Sequence, residues 1–287
     1  MKNLYRGSKK MNLIGIFVSI LIILTIVIPV VATTNRQVFS KTAYDVDVPV
    51  WENGDEWTYH FTESRTINPA YSFSDDITYK IIEDSGDSYT LKAKVRPKGS
   101  FDLGSIGLKT TMFTSGFMEI QLRKADLGLE NFVEKLKGIL LLTIGSLTLP
   151  IPIQISANYN VEFDPTWVII PFPLYDGKCG NLSSTEILHI NDTIHLFWKL
   201  ITVFGPLSEA LPLSPIPYTC NLEKLTVGER TFDVYNVSAG LEKDWRFISY
   251  YSEEVGNVVK EVIYIPAGGG KVINSYILEL KDWSYTP

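Results

Sequence analysis

The sequence predicts a mainly β protein: a strongly curved antiparallel sheet or half-open barrel with one packed helix, preceded by one N-terminal membrane-spanning or signal helix. Three patterns support this prediction. Apolar and polar residues alternate with period two in many segments between Glu56 and Leu280, as they do in half-buried strands. Helical spacing of apolar residues occurs once in the same region. One long uncharged apolar run comes before all of them.

The uncharged apolar run extends from Leu13 to Ala32. A bilayer core about 30 Å thick needs roughly 20 apolar residues of helix, and this run has that length. Four cations precede it: Lys2, Arg6, Lys9 and Lys10. Cations in this position keep the N-terminus in the cytoplasm, so the chain after Ala32 is predicted to lie outside a single-pass cell-membrane anchor. Secretion after cleavage near Ala32 is the alternative, because Val30-Val31-Ala32 suits a signal peptidase.

The chain therefore divides into three parts. Residues 1–32 form the cytoplasmic tail and the membrane-spanning or signal helix, residues 33–50 a polar stalk, and residues 51–287 an extracytoplasmic β-domain. All 32 acidic side chains follow Ala32, whereas four of the 26 cations precede it. An acidic exported part argues against nucleic acid and anionic lipid headgroups as partners, since both bind basic surfaces.

Several strands can be placed directly from the alternation. Trp57, Tyr59 and Phe61 share one face of a strand that begins near Glu56. Residues 77–81 and 89–95 predict an antiparallel hairpin around the turn cluster at 84–87. Residues 151–163 form the clearest strand, because every odd position is apolar. Its length favours a long, curved sheet over a compact sandwich.

One segment of the exported part, residues 128–142, is predicted to be an amphipathic helix. Its apolar residues recur at helical spacing: Leu129, Phe132, Val133, Leu136 and Leu140. Asp126 is suited to cap its start. We expect the helix to pack against the inward face of the sheet, either as a plug or as a lid over a cavity.

Motifs at both ends of the domain resemble those of uncharacterised exported proteins of archaea and bacteria. The stretch 51–59 resembles their W-x-x-G-D-x-W-x-Y opening. The stretch 250–260 resembles their Y-Y-S-P-E-V-G-x-V-V-K turn, with Glu253 where proline is common, and the stretch 225–235 resembles the strand before it. These proteins are similar in pattern to the lipoprotein-carrier (LolA/LolB-like) fold. The resemblance implies a half-open antiparallel barrel around a helix, with an apolar cavity.

Two functions from different classes fit these features. In the first, the domain binds a lipid or another apolar ligand in the concavity of its sheet. The candidate cavity residues are Trp57, Tyr59, Phe61, Leu129, Phe132, Leu136, Ile153, Ile155 and Tyr159. In the second, the domain is a structural or interaction module of the cell surface with a filled core. An apolar pocket of about 300 Å³ or more favours the first function. No charged residue is clearly forced inward, so size and shape would set specificity.

The two cysteines, Cys179 and Cys220, are predicted to form a disulfide, because an even pair in an exported domain is more often a bridge than a metal site. Two free buried thiols are the alternative. Asn181 and Asn191 begin N-glycosylation sequons in predicted loops.

The sequence indicates no enzyme. It contains no G-x-S-x-G elbow and no P-loop, so no catalytic residue and no cofactor is expected. His189 and His195 flank a predicted hairpin turn and could share a metal if that turn had three residues. A metal site needs a third ligand, which is not evident nearby, so no metal is predicted.

Overall fold

The computed structural model describes residues 45–66, 70–103, 108–144, 146–164, 170–182, 185–190, 193–196, 201–202, 207–212, 216–241, 245–267 and 271–285. The predicted N-terminal helix at 13–32 and most of the predicted stalk lie outside these residues. Among the residues described, no helix is long and apolar enough to cross a membrane.

Strands make up the regular structure of the described part of the chain. They are β1 (Glu56–Arg65), β2 (Ala70–Ser85), β3 (Ser88–Val95), β4 (Lys98–Leu103), β5 (Leu108–Arg123), β6 (Leu129–Ile144), β7 (Leu147–Asp164), β8 (Cys179–Leu182), β9 (Thr185–Ile190), β10 (Thr193–Leu196), β11 (Ile201–Thr202), β12 (Leu207–Pro212), β13 (Ile216–Val227), β14 (Arg230–Leu241), β15 (Trp245–Ser252), β16 (Asn257–Ala267) and β17 (Lys271–Ser284). The mainly β prediction is therefore confirmed.

All these strands belong to one antiparallel sheet. From one side of the sheet, successive neighbours are β8, β13, β14, β15, β16, β17, β1 and β2. Next to β2 come β3 and β4, which lie end to end, and they are followed by β5, β6 and β7. Beyond β7, β9 and β10 both pair with it, and they in turn pair with β12 and β11. The first strand lies between the second and the last, because Phe61 pairs with Asp75 on one side and with Leu278 on the other.

The predicted helix at 128–142 is wrong, because these residues form β6. Leu136 pairs with Gly116 of β5 and with Ile155 of β7, and its side chain is 0% exposed. Asp126 lies in the turn before the strand, where it accepts a hydrogen bond from the Gly128 backbone and two from Arg123. Residues 139–142 are apolar at every position, so they satisfy helical and strand periods alike. Pairing with two long strands then decides the structure.

The core lies on one face of this sheet, which we call the core face; the other is the outer face. Aromatic side chains dominate its centre, and the largest fully buried ones are Trp51, Trp57, Tyr251 and Phe61. Neighbouring rings touch: Phe61 lies 5.2 Å from Tyr276, between ring centroids. Such pairs add to the stabilisation that burial of their area already provides. The alternation predicted for β1 is confirmed, because its odd positions fill this face.

Candidate functional site

The structure places the predicted cavity residues on strands that belong to the same sheet. Trp57, Tyr59, Phe61 and Leu136 are at most 2% exposed and lie in the hydrophobic core. Five others occupy β6 and β7: Leu129, Phe132, Ile153, Ile155 and Tyr159. Phe132 pairs with Tyr159 and Leu136 with Ile155, so the backbone brings these positions into register. The side chains of those five lie outside the described residues.

Three aromatic side chains of the first motif hold the turn of the last motif. The indole N–H groups of Trp51 and Trp57 donate to the carbonyls of Gly256 and Val255, each at 2.8 Å. The Tyr59 hydroxyl donates to the Val258 carbonyl, also at 2.8 Å. A buried carbonyl without a partner is costly, so these bonds fix the turn on the core face. The two motifs at opposite ends of the domain therefore form a single contact.

The same contact constrains the backbone on both sides. Gly256 has φ +63°, and a Cβ at this position would lie 2.3 Å from the Tyr285 ring. Only glycine meets both conditions without strain or a clash. On the other side, the Trp51 backbone N–H donates to the Tyr89 hydroxyl at 3.0 Å, and the two rings lie 5.2 Å apart. The chain entering the domain is thus bound to the sheet before its first strand begins.

The core-face cavity that the described residues enclose is small. Its volume is about 30 Å³, which is the share of one water molecule in the liquid. Six neighbouring strands each supply a lining residue: Ile120, Leu91, Tyr79, Tyr59, Leu278 and Glu261. A second void between Phe61, Asp75 and Glu134 has a volume of about 10 Å³. Ligand pockets for molecules of drug size begin near 300 Å³, so these spaces suit water rather than a lipid.

Buried acids are the site residues that the sequence analysis missed. Glu63, Glu134 and Glu261 are at most 2% exposed on the core face. The expectation that no charged residue is forced inward is therefore wrong. Glu63 had a signal, since it continues the inward positions of Trp57, Tyr59 and Phe61. Glu134 had no such signal, because the sequence predicts a helix for its segment.

Burial changes the protonation of these acids. It raises the pKa of Glu261 to about 8, because an apolar environment disfavours the carboxylate. Burial also raises the pKa of Glu63 to about 8, although the Tyr71 hydroxyl opposes this by donating to Glu63 Oε1 at 2.6 Å. Burial likewise raises the pKa of Tyr276, and nearby Glu261 adds to the effect. At neutral pH these two carboxyls are therefore mostly protonated.

The predicted disulfide is not present, since Cys179 and Cys220 are both free. Cys179 pairs with Thr219, so its side chain shares the outer face with Thr219. Cys220 is the next residue of β13 and faces the core, where it is 0% exposed. Adjacent strand residues point to opposite faces, and the two sulfurs therefore lie on opposite sides of the sheet. Burial raises the pKa of the Cys220 thiol to about 12.

The proline-rich segment 170–178 is held by a buried lysine. The Lys178 ammonium donates to the carbonyls of Pro171 and Pro173, and lies over the Tyr175 ring. Burial lowers the pKa of Lys178. Since the carbonyls that bind this ammonium belong to the same segment, Lys178 closes the segment on itself next to the start of β8.

The histidine hairpin predicted at 189–195 is also wrong. β9 and β10 lie one after the other along β7, with His189 opposite Asn160 and His195 opposite Gln154. Six residues of strand separate those two partners by about 20 Å, which is too far for a shared metal. Within the described part of the chain, no cluster of three or more potential ligands could hold a metal ion.

The two predicted glycosylation sites differ in what the structure describes. Asn181 is exposed on β8 and therefore accessible, although it lies in a strand rather than in the predicted loop. Asn191 lies outside the described residues.

Comparisons of the chain with protein-family models, with curated proteins and with solved structures find no match. The resemblance to exported proteins with a lipoprotein-carrier pattern therefore stays a prediction. The hydrogen bonds from Trp51 and Trp57 to the 255–256 turn give those motifs a structural purpose in this chain.

Proposed function

We propose that this protein is an exported, membrane-anchored β-domain that acts through its outer surface, as an interaction module with a filled core. The observation that supports this proposal most directly is the size of the core-face cavity, about 30 Å³. A bound lipid needs a space at least ten times larger, on the order of 300 Å³. Over the described residues, the concavity is occupied by the protein's own side chains, with aromatic ones at its centre.

The proposal includes a sheet that curls into a half-open barrel around these side chains. Strands β5, β3, β2, β1, β17 and β16 are consecutive neighbours in the sheet. In a flat sheet the outer two would lie about 24 Å apart, at roughly 4.8 Å for each step. A cavity of about 30 Å³ that touches all six supports strong curvature.

The membrane placement in this proposal rests on the sequence. The uncharged run from Leu13 to Ala32 has the length of a membrane span, and cations precede it. Binding of a lipid or another apolar ligand in the concavity is the competing proposal. It is supported by the motif resemblance and by the mainly apolar lining of the cavity.

A titration of the purified full-length protein with a spin-labelled fatty acid separates the two proposals. A filled core predicts no saturable binding beyond that of protein-free detergent micelles. A second titration uses Leu91→Trp, which fills the cavity next to Ile120. Saturable binding of one fatty acid per chain that Leu91→Trp abolishes would overturn the proposed function in favour of the competing one.

A further inference from the structure

The outer face of the sheet carries a local basic surface, although the chain has a net charge of −6. Six exposed cations lie on neighbouring strands and the short link between β3 and β4: Lys92, Lys94, Arg96, Lys98, Lys135 and Lys137. Acidic side chains adjoin these cations at two places: Glu119 lies 3.9 Å from Lys92, and the strand register puts exposed Asp76 beside Arg96. We call these six residues the basic face. The net charge of the whole chain does not reveal this local excess of cations.

Aromatic and aliphatic side chains lie among these cations. The Phe117 ring has the ammonium groups of Lys92 and Lys135 at 5.1 and 5.7 Å from its centroid. Phe113, which is 49% exposed, pairs with Lys98 on one side and with Ile139 on the other. Cations beside exposed rings are typical of surfaces that sit at a membrane–water interface.

The basic face continues into an apolar hairpin. The chain has no charged residue from Gly138 to Val161, and β6 and β7 form a hairpin whose last pair is Ile144 and Leu147. Ile139 is 47% exposed on the outer face. Leu147 and Leu149 lie on the core-face side but are 57% and 42% exposed. The tip is therefore uncharged and open on both sides, with leucines on the core-face side and the Thr143–Thr148 hydroxyl pair on the outer side.

The links between neighbouring strand ends at one rim of the sheet are also uncharged, although Lys109 and Asp102 form an ion pair one residue from the β4–β5 end. The register places the β1–β2, β4–β5, β6–β7 and β16–β17 ends at the same rim. The connecting residues 67–69, 104–107, 145–146 and 268–270 contain no charge. At the opposite rim, the β2–β3 and β15–β16 turns present exposed Asp87, Glu253 and Glu254. The acidic turns therefore lie at the rim opposite the β6–β7 tip.

We propose that the β6–β7 tip inserts into a lipid bilayer while the basic face contacts anionic headgroups. The proposal rests on the membrane-anchored placement proposed above. Lysines and arginines attract anionic lipid, and an uncharged tip that is open on both sides and exposes two leucines suits a bilayer, whereas a protein partner would cover one side. From Leu140 to Ile144 the strand rises about 13 Å, less than half of a 30 Å bilayer core. The tip therefore enters one leaflet without spanning the membrane.

The segment between the predicted membrane anchor and the domain is long enough for this arrangement. Twelve residues lie between Ala32 and Asp45, where the described chain begins, and this stretch of chain reaches at most about 45 Å. Docking through the basic face also corrects one expectation from the sequence. The acidity of the whole exported part argues against anionic lipid headgroups as partners, whereas the cations of the basic face lie together on one part of its surface.

The test uses the full-length protein in vesicles of phosphatidylcholine and phosphatidylglycerol. An environment-sensitive fluorophore is attached to Ser146→Cys in a Cys179→Ser background, and in a second sample to Cys179 of the unmodified chain, which is exposed on β8. The probe at position 146 is expected to be quenched by spin-labelled lipid and shielded from aqueous iodide. The probe at Cys179 is expected to show the reverse.

Two matched substitutions define which surface is responsible. Leu147→Lys should abolish lipid quenching at position 146, whereas Leu222→Lys, at a leucine of similar exposure on β13, should leave it unchanged. Lys135→Glu with Lys137→Glu should lower the quenching in vesicles that contain phosphatidylglycerol and have little effect in phosphatidylcholine alone.

Two results would overturn the docking proposal. In the first, iodide reaches the probe at position 146 as readily as the probe at Cys179, so the tip lies in water. In the second, the probe is shielded from both quenchers, which indicates that a second copy or another protein covers the tip. Flotation of the same vesicles reports separately on the anchor: protein that fails to float contradicts the proposed membrane placement rather than the docking.

Discussion

Glu63 and Glu261 show how residue type and strand position can conflict. Both are acids, and composition would place them in water. Their strands nevertheless direct them to the core face, where they are 1% and 2% exposed. The protein accommodates them by keeping them protonated, with a pKa of about 8 for each. Whether a residue stands at an odd or an even position along a strand decides which face its side chain occupies. The environment on that face then shifts the pKa of an ionisable side chain.

This protonation makes stability depend on pH in a defined direction. The pKa of Glu261 is about 8 in the folded state, against an ordinary value of 4.5. The folded state therefore holds more protons than the unfolded state between these values, and stability falls as pH rises through that window. Each such carboxyl contributes a slope of about 1.4 kcal/mol per pH unit.

Glu261→Gln should therefore make this slope shallower by about 1.4 kcal/mol per pH unit, because the amide keeps the shape and cannot ionise. Urea unfolding at a series of pH values from 5 to 8 measures it. Glu254→Gln, at an exposed turn residue, is the matched control and should keep the original slope. Equal slopes in the Glu261 variant and the unmodified protein would show that this carboxyl does not titrate in the window.

At the scale of single elements, the sequence predicted strands well where alternation was strict. β1 and the β2–β3 hairpin were predicted from their inward aromatic and aliphatic residues, and the structure confirms them. β6 was missed because its apolar residues run together near the hairpin, so its own period is ambiguous. Its partners β5 and β7 determine its structure, and pairing between strands is not visible in one segment. The cysteines were misjudged for a similar reason, since sequence spacing does not reveal that they occupy opposite faces.

The strand assignment of 129–144 predicts opposite effects at adjacent residues. Leu136→Asp buries a carboxylate at a site that is 0% exposed, which costs several kcal/mol and should prevent folding. Lys137→Asp changes the neighbouring exposed residue and should fold with nearly unchanged stability. Near-UV circular dichroism and urea unfolding of both variants measure the difference. Similar stabilities of the two variants would contradict the alternation of β6.

The contact between the two end motifs makes a second prediction at this scale. Trp57→Phe keeps an aromatic ring but removes the donor to the Val255 carbonyl, which stays buried. The loss should be about 1–3 kcal/mol larger than for Trp283→Phe, where the indole is partly exposed near Phe232. Urea midpoints of the two variants give the comparison. If Trp283→Phe costs as much as Trp57→Phe, the indole hydrogen bond is not what holds the turn.

For the whole molecule, the sequence indicated one large antiparallel sheet but not the order of its strands. The placement of β1 between β2 and β17 brings the two ends of the domain together, and the motifs at 51–59 and 250–260 meet there. The charges of the surface could not be predicted, because the basic face arises from three strands and a link that are separated in the chain. Composition reports the average charge, whereas the strand register decides where charges gather.

The proposed topology predicts a simple labelling result in intact cells. A membrane-impermeant thiol reagent should modify one cysteine per chain, Cys179, because it is exposed and free outside the membrane. Cys220 is buried and should react only after unfolding. Cys179→Ser should remove the labelling of intact cells. Labelling that appears only after the cells are permeabilised would place the domain on the cytoplasmic side. If the unfolded, unreduced chain is not labelled at all, the two cysteines form a disulfide after all.

Photo-crosslinking with a diazirine fatty acid in the membrane tests the central claim, that the domain meets lipid with its surface and not with its core. The full-length protein is irradiated in vesicles, and the modified residues are mapped by mass spectrometry. The predicted adducts lie in 13–32 and at the hairpin tip, at residues such as Leu147 and Leu149. Adducts on Tyr59, Tyr79 and Ile120, which line the core-face cavity, would contradict the claim and show that the concavity takes up lipid.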